Sequence, residues 1–407
     1  MPATGSASGT APRPRDMSCR IGFLVSHPIQ YYAPIFRELA KRCDLTVYFA
    51  HRQSAEQQAS AGFGVAFDWD IDLLSGYRSQ FLTNVSRQPS TDHFWGCDTP
   101  DIGREIANGR FDAFIVPGWS LWSYWQAVRA CRRLGVPILV RGDSQLPAQR
   151  KGLLRRAKEL GFPWLLRRFD GYLYVGQRNR EYLTHYRVPP ARLFFSPHCV
   201  DNDAFRAGVV ASLGRTMDER SQRQGKKQIL FVGKLIARKN PLDLLRAAEL
   251  LQGKGISVEV AFAGSGELAG SLEQLATTAG LSARFHGFVN QSRLPEIYAA
   301  ADVIALPSDG SETWGLVINE AMACGVPAVV SSVVGCGPDL IEPGRTGATF
   351  RLGDIAEMAT ALETVLRFEP SVTSKSLALR MQTYSPAAAA DGIVGAANSL
   401  RAQPLLK

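Results

Sequence analysis

The chain has 407 residues, 45% of them apolar, enough to bury the cores of two or three domains without disulfide or metal staples. Its 46 Lys and Arg exceed 37 Asp and Glu by 9, and the excess is confined to one half: residues 1–200 hold 26 basic and 16 acidic side chains, residues 201–407 hold 20 and 21. That split excludes a uniformly basic nucleic-acid-coating protein and predicts two halves with different partners.

Residues 1–17 lack an apolar segment of signal-peptide type and read as a disordered leader. Short apolar runs then alternate with amphipathic stretches, the pattern of βαβ units and parallel sheets. Strands are expected over 19–26, 45–50, 111–117, 137–141 and 171–175, with a loop (HPIQYY) and a helix over 33–42 after the first. The polar run 212–227 (SLGRTMDERSQRQGKK) reads as a linker or exposed loop. A second series follows, with strands over 228–232, 257–263, 283–286, 303–307 and 328–331. Helices are expected over 241–252, 267–279, 293–300 and 315–324. The expected architecture is α/β, two Rossmann-like doubly wound domains facing a central cleft that binds the ligand. The boundaries are 18–200, a linker over 201–227, 228–385, and a C-terminal helix over 386–407 that crosses back to the first domain. Seven Cys (19, 43, 97, 131, 199, 324 and 336) include no C-x-x-C pair, which indicates neither a zinc site nor a disulfide framework and fits a reducing cytoplasm. The longest uncharged run, 321–338, is broken by Gly325, Pro327, Gly335 and Gly337, so no transmembrane helix is expected.

The segment SDGSETWGLVINEAMACGVP (308–327) is the most informative. Glu312 and Glu320 are eight residues apart across a loop-to-helix junction, which in a helix spans about 12 Å and puts both carboxylates on roughly one face. Between them the amides of Trp314, Gly315 and Leu316 open the helix, an anion site suited to a diphosphate. Carboxylates accept from hydroxyls, so sugar and ribose hydroxyls on either side of that phosphate are chemically apt. In FVGKLIARKN (231–240) a strand runs into a turn at Gly233 bearing Lys234, with Lys239 before the next helix. Two ammonium groups there can neutralise a diphosphate leaving group without a metal. AGSGE (263–267) has neither the full G-x-G-x-x-G nor a P-loop Lys.

These segments resemble the retaining glycosyltransferases of family 4, which have the GT-B fold. SETWGLVINEAMACGVPAVVS resembles their E-x7-E region, FVGKLIARKN their G-R-L-x-x-x-K-G turn, and FSPHCVD (195–201) their interdomain I-P-N-G-V-D. GCGPDLIEPGRTGATFRLGD resembles the glycine-rich segment that follows. The likeness is specific over 195–355 and weaker over 18–195. It implies transfer of a sugar, with retention, from a nucleotide diphosphate sugar (UDP being the commonest carrier) to a saccharide, lipid-linked or small-molecule acceptor, in glycan or glycoconjugate biosynthesis. No cofactor and no bound metal are implied. Glu312 would contact donor-sugar hydroxyls and Glu320 the ribose. Lys239 and Lys234 would bind the phosphates, Trp314, Gly315 and Leu316 would give backbone contacts, and Gly287, Phe288 and Val289 would lie near the base. The chain departs from the pattern at Lys234 (Arg in the family), at His198-Cys199 (Asn-Gly) and at Asp339 (Glu). His27-Pro28 stand where the family has Gly-Gly, and Arg141 to Asp143 where it has a His. The alternatives are a degenerate nucleotide-sugar-binding protein and a GT-B-fold sugar-nucleotide epimerase.

In the first half, His27, Trp119, Arg141 and Asp143 stand at or just after the ends of expected strands and are the acceptor-side candidates. Trp119, Trp122 and Trp125 share a helical stripe, which suits a core as well as a sugar face. Residues 150–168 carry seven basic residues against Glu159, interleaved with Leu, Phe and Trp. That stretch fits either a solvated helix or a contact with anionic lipid on the cytosolic face of a membrane. No nucleic-acid-binding module accompanies it.

Overall fold

The computed structural model describes residues 19–53, 70–146 and 153–402, with the side chains of all but 153–158. The leader read over 1–17 lies outside the described residues. The first sheet comprises β1 (Arg20–Val25), β2 (Asp44–Phe49), β3 (Arg78–Phe81), β4 (Ala113–Val116), β5 (Ile138–Gly142), β6 (Gly171–Tyr174) and β7 (Leu193–Phe195). They lie in the order β3-β2-β1-β4-β5-β6-β7, every pair parallel. Helices α1 (Ala33–Ala40), α2 (Ile102–Gly109), α3 (Trp122–Leu134), α4 (Leu153–Leu166) and α5 (Gln177–His185) connect them. A 21-residue helix, α6 (Asn202–Gln222), leads to the second sheet.

That sheet has β8 (Lys227–Val232), β9 (Val258–Ala263), β10 (Ser282–Gly287), β11 (Val303–Leu306), β12 (Ala328–Ser331) and β13 (Gly347–Phe350). The order is β10-β9-β8-β11-β12-β13, again parallel throughout. Its helices are α7 (Pro241–Gly253), α8 (Ala269–Thr278), α9 (Leu294–Ala300), α10 (Leu316–Ala323), α11 (Gly337–Leu340), α12 (Ile355–Leu366), α13 (Pro370–Thr383) and α14 (Pro386–Ala402). Each sheet is covered on both faces by hydrophobic clusters, which is why its central strands read as unbroken apolar runs. Strand order reverses between β1 and β4, and again between β8 and β11, which opens a crevice at the carboxyl end of each sheet.

The expected loop over 212–227 is instead the end of α6 and its turn into β8. The segment has few apolar residues because its buried face is small and polar. Ser212 and Thr216 are buried, and a Cβ at Gly208 would lie 2.6 Å from Pro295. The guanidinium of Arg223, also buried, donates to Ala300 O at 2.7 Å, and Arg220 donates to Ala299 O at 2.9 Å. Carbonyls at the end of α9 thus take the place of apolar neighbours. The short strands β3 and β7 also escape sequence reading, β3 because RSQF has no apolar run.

After α13 the chain crosses to the first sheet, where α14 packs Ala389, Ala390, Ile393, Ala396 and Ala397 into its core. A Cβ on Gly392 would stand 1.8 Å from Phe195 O, whereas Gly395 has nothing within 4 Å of that position. Gly392→Ala should therefore cost about 1–3 kcal/mol by overpacking. Gly395→Ala should be neutral or stabilising by up to about 1 kcal/mol through helix propensity. Denaturant melts of the two variants check the contrast.

Candidate functional site

The crevice between β8 and β11 holds the candidate site. β8 ends in a tight turn at Gly233 (φ +144°), and a Cβ on Gly264 (φ +149°), just beyond β9, would lie 1.9 Å from Gly233 O. The two strand ends therefore close into a wall of main chain, a close approach that only glycine allows. The turn after β8 is tied to the loop after β11: Asn240 Nδ2 donates to Pro307 O (3.0 Å), and Asp309 N to Arg238 O (2.9 Å). A cavity of about 240 Å³ results. Lys234, Arg238 and Lys239 line one side, Phe288, Val289 and Gln291 another, Val317 and Glu320 a third, and Gln30 reaches in from the first domain.

The charges are arranged in pairs. Lys239 Nζ is hydrogen-bonded to the Glu312 carboxylate, and both side chains are largely buried. Burial, followed by the like charges of Arg238 and Lys239, pushes Lys234 below its ordinary value. Glu320 is buried and accepts a hydrogen bond from Tyr298 Oη at 2.6 Å. Desolvation raises its carboxyl to about 7 against the opposing effect of that bond. α10 starts at Gly315 (φ +98°), where a Cβ would meet Leu306 at 2.6 Å. The amides of Leu316 and Val317 have no acceptor within their own helix, whereas Ile318 N donates to Gly315 O at 3.0 Å.

The two glutamates do not share a helical face as their spacing predicts. Glu312 precedes α10 in the loop after β11, whereas Glu320 lies inside the helix and on the cavity wall. Gly233, Phe288 and Val289 line the cavity; Gly287 stands behind them, its carbonyl accepting from Gly264 N at 2.7 Å. Trp314 is buried, its indole Nε1 donating to Asn319 Oδ1 at 2.8 Å and its ring against His198 and Tyr384. The sequence reading missed Arg238, Tyr298 and Gln30. Arg238 stands between the two chosen lysines, while Tyr298 and Gln30 reach the site only through tertiary packing.

The first domain meets this loop directly. Gln145 Nε2 donates to Gly310 O (2.8 Å) and Glu312 O (3.3 Å), and Thr313 Oγ1 donates to Asp143 Oδ2 (2.6 Å). Burial works against the charge on Asp143, but the neighbouring His198 and the bond from Thr313 outweigh it and hold the carboxyl below the usual range. Further along the interface, Asp339 caps α5, both oxygens accepting from Gln177 N at 3.0 Å, and Tyr384 Oη donates to Asp339 Oδ1 at 2.8 Å. Asp339 thus serves the contact between the domains.

Two acceptor-side expectations need correction. Arg141 is fully buried, its guanidinium donating to Ser196 Oγ, Ser196 O and Pro197 O, so it offers no surface to a ligand. Trp119 packs on Phe162 and Phe169 against the first core, and its carbonyl accepts from Trp125 Nε1: of the three tryptophans, Trp119 and Trp125 turn inward, while Trp122 lies against Phe94 and Trp95. His27 follows β1 at the cleft edge, with Nδ1 3.0 Å from Ser26 Oγ. Burial, then His51, pushes its imidazole down to about 4, with Asp92 acting the other way, so it is neutral at pH 7.

Glu320 supplies a stability test. Its folded-state value of about 7 exceeds the ordinary 4.5, so the folded chain holds the proton more tightly. The associated stability is fully present below pH 4.5 and is lost as pH rises to about 7, a change of roughly 3 kcal/mol. The melting temperature of the wild type relative to Glu320→Gln should fall over that window and level off above it. A pH-independent difference would show that the fold leaves the titration of this carboxyl unshifted.

Comparison with known proteins fits this geometry. The family model described as "Glycosyl transferases group 1" matches residues 215–384. The D-inositol 3-phosphate glycosyltransferases of Mycobacterium tuberculosis and Mycobacterium bovis are 35% identical over 217 residues, 51% of this chain and 43% of theirs. The chain therefore matches less than half the length of these curated relatives. Anabaena HepE in complex with UDP superposes with a TM-score of 0.70 at 16% identity, over 93% of this chain and 100% of that one. Sucrose-phosphate synthase from Thermosynechococcus elongatus superposes with 0.64 at 18%, over 94% and 99%. Among the described residues no group of three or more His, Cys, Asp or Glu is placed to hold a metal ion, and no helix is long and apolar enough to cross a membrane. With two Rossmann-like domains about a central cleft, the chain has the GT-B fold, and over residues 215–384 its second domain is similar to the glycosyl transferases group 1 family.

Proposed function

We propose that the protein is a retaining glycosyltransferase that binds a nucleotide diphosphate sugar, UDP-linked, in the second domain and transfers the sugar to an acceptor held against the first. The observation that carries the proposal is the largely buried Lys239–Glu312 pair, whose Lys239 lines the cavity together with Lys234, Arg238 and Glu320. An incoming diphosphate takes Glu312's place on Lys239 and adds Lys234, Arg238 and the first amides of α10 as donors. Glu312, released, accepts from hydroxyls of the donor sugar, and Glu320 accepts from the ribose at the far end of the phosphates. Phe288 and Val289 form the wall for the base. The bond between the anomeric carbon and the phosphate oxygen breaks as the acceptor oxygen bonds to that carbon from the same face. The acceptor proton passes to the leaving phosphate, whose charge the cations stabilise. The UDP-bound state of a structural neighbour supports the choice of carrier.

A thermal-shift series of nucleotide sugars, followed by NMR of the product's anomeric configuration, tests the reading. Stabilisation by no nucleotide sugar would overturn it, and an inverted product would overturn retention. Lys239→Ala should lower kcat by about 10²–10³ with the fold intact. Glu312→Ala should impair transfer more than nucleotide affinity. Equal losses in both would assign Glu312 to the phosphates through Lys239 alone.

The described part of the basic stretch supports peripheral contact with an anionic membrane. Leu160 is 84% exposed and Trp164 62%, with the Arg168 guanidinium 4.2 Å from the Trp164 ring centre. This pairing of apolar tips with cations suits a lipid interface. Co-sedimentation with vesicles containing phosphatidylglycerol should be salt-sensitive and weakened in Trp164→Ala. Absence of binding at low salt would leave the stretch a solvated face.

A further inference from the structure

We propose that Trp95 and Trp122 form a stacking platform for a pyranose ring of the acceptor, an inference that rests on the glycosyl-transfer reading above. The loop over 82–101 leaves the carboxyl end of β3 and returns at the start of α2, so it begins and ends on the cleft edge of the first sheet. Its own bonds fix it. Asn84 Oδ1 accepts from Ser86 N and Asp98 N, both at 3.0 Å, and Asn84 Nδ2 donates to Gly96 O at 2.9 Å. Ser86 Oγ donates to Trp95 O at 2.7 Å, and Gly96 is so close to the opposite strand of the loop that a Cβ would lie 2.2 Å from Ser90 O.

On this fixed support Trp95 is 61% exposed. Its ring leans on Trp122 (centroids 5.3 Å apart, 48° between planes) and on Phe94 (4.8 Å). Burial of a core explains Trp119 and Trp125, but it does not explain a tryptophan held in water by a braced loop.

The topology places this surface beside the donor. Trp122 opens α3 just after β4, and the neighbours of β4 are β1 and β5. The loop after β1 sends Gln30 to the donor cavity, and the loop after β5 sends Gln145 to the main chain of Glu312. Polar groups precede the rings in the same loop: Asp92 Oδ2 accepts from Ser90 Oγ at 3.1 Å, and His93, also exposed, has Nε2 3.1 Å from Gln88 O.

The chemistry favours a neutral sugar over lipid. A flat indole face meets the C–H face of a pyranose, while the Asp92 carboxylate and His93 imidazole, just before it in the loop, serve the hydroxyls. The loop carries Arg87 against Asp92, Asp98 and Asp101, the reverse of the balance that attracts an anionic bilayer.

The test uses the full chain labelled with 5-fluorotryptophan, whose seven tryptophans give separable fluorine resonances. Cellobiose, maltose, lactose and their methyl glycosides are titrated with UDP present, and phosphatidylglycerol vesicles in a separate arm. The proposal expects saturable shifts of Trp95 and Trp122 with at least one saccharide, Trp119 and Trp125 being still. It also expects a loss of about tenfold in the saccharide's affinity in Trp95→Ala. The outcome that overturns it is the absence of any saccharide-dependent shift at Trp95, or a shift there with vesicles alone. UDP-glucose affinity, set in the other domain, is measured by calorimetry on the same samples. Its absence would refute the donor reading, whereas its presence without a saccharide shift would refute the platform alone.

Discussion

A single guanidinium, that of Arg141, fastens the segment from which both domains hang. It lies at the end of β5, fully buried, and spends its donors on Ser196 and Pro197, where the chain leaves the first sheet. A buried charge is costly unless its donors find acceptors, and here carbonyl and hydroxyl oxygens answer Nε and Nη2 in place of a carboxylate, while the Tyr32 ring lies 5.3 Å from the guanidinium carbon. The fixed segment then acts in both directions. Ser196 Oγ donates to Ala389 O and so docks α14, while His198 O accepts from Asn319 Nδ2, whose Oδ1 holds the Trp314 indole. The start of α10, whose Val317 lines the cavity, is thereby set by a residue of the other domain.

The legibility of the chain follows from how each part is assembled. In the second domain the cations, the glycine turn and the two glutamates sit in two short segments beside β8 and β11, so a local reading finds them together. The first-domain face is built from the ends of β1, β3, β4 and β5, and no spacing connects His27, Trp95, Trp122 and Gln145. Arg141 and Asp143 are two residues apart, yet one is sealed behind the cleft and the other bonds across it. β5 delivers the first while still in the sheet and the second after leaving it. Trp119 misled because aromatic identity does not tell which way a ring turns, and α6 was hidden because its packed face uses Ser, Thr and Arg.

The opening charge asymmetry also acquires a structural reading. The second half is neutral overall because its cations are matched close at hand, Lys239 by Glu312 and Arg223 by Asp302 and the end of α9. A site kept internally neutral avoids burying bare cations, and an anionic ligand can enter by exchanging one counter-charge for another. In the first half, the described residues of the basic stretch carry their charge beside exposed Leu160 and Trp164.

The approach of Gly264 to Gly233 has a consequence for how such a site can change. That wall is polypeptide backbone, and any side chain added to Gly264 would collide with a peptide carbonyl. Point substitution therefore cannot recut it without moving two strand ends. Variation in what the cavity accepts is channelled to the opposite side, to Phe288, Val289, Gln291 and Val317, where size and polarity can drift one residue at a time. The crevice thus divides into an invariable half and a tunable half, and the boundary is drawn by two glycines.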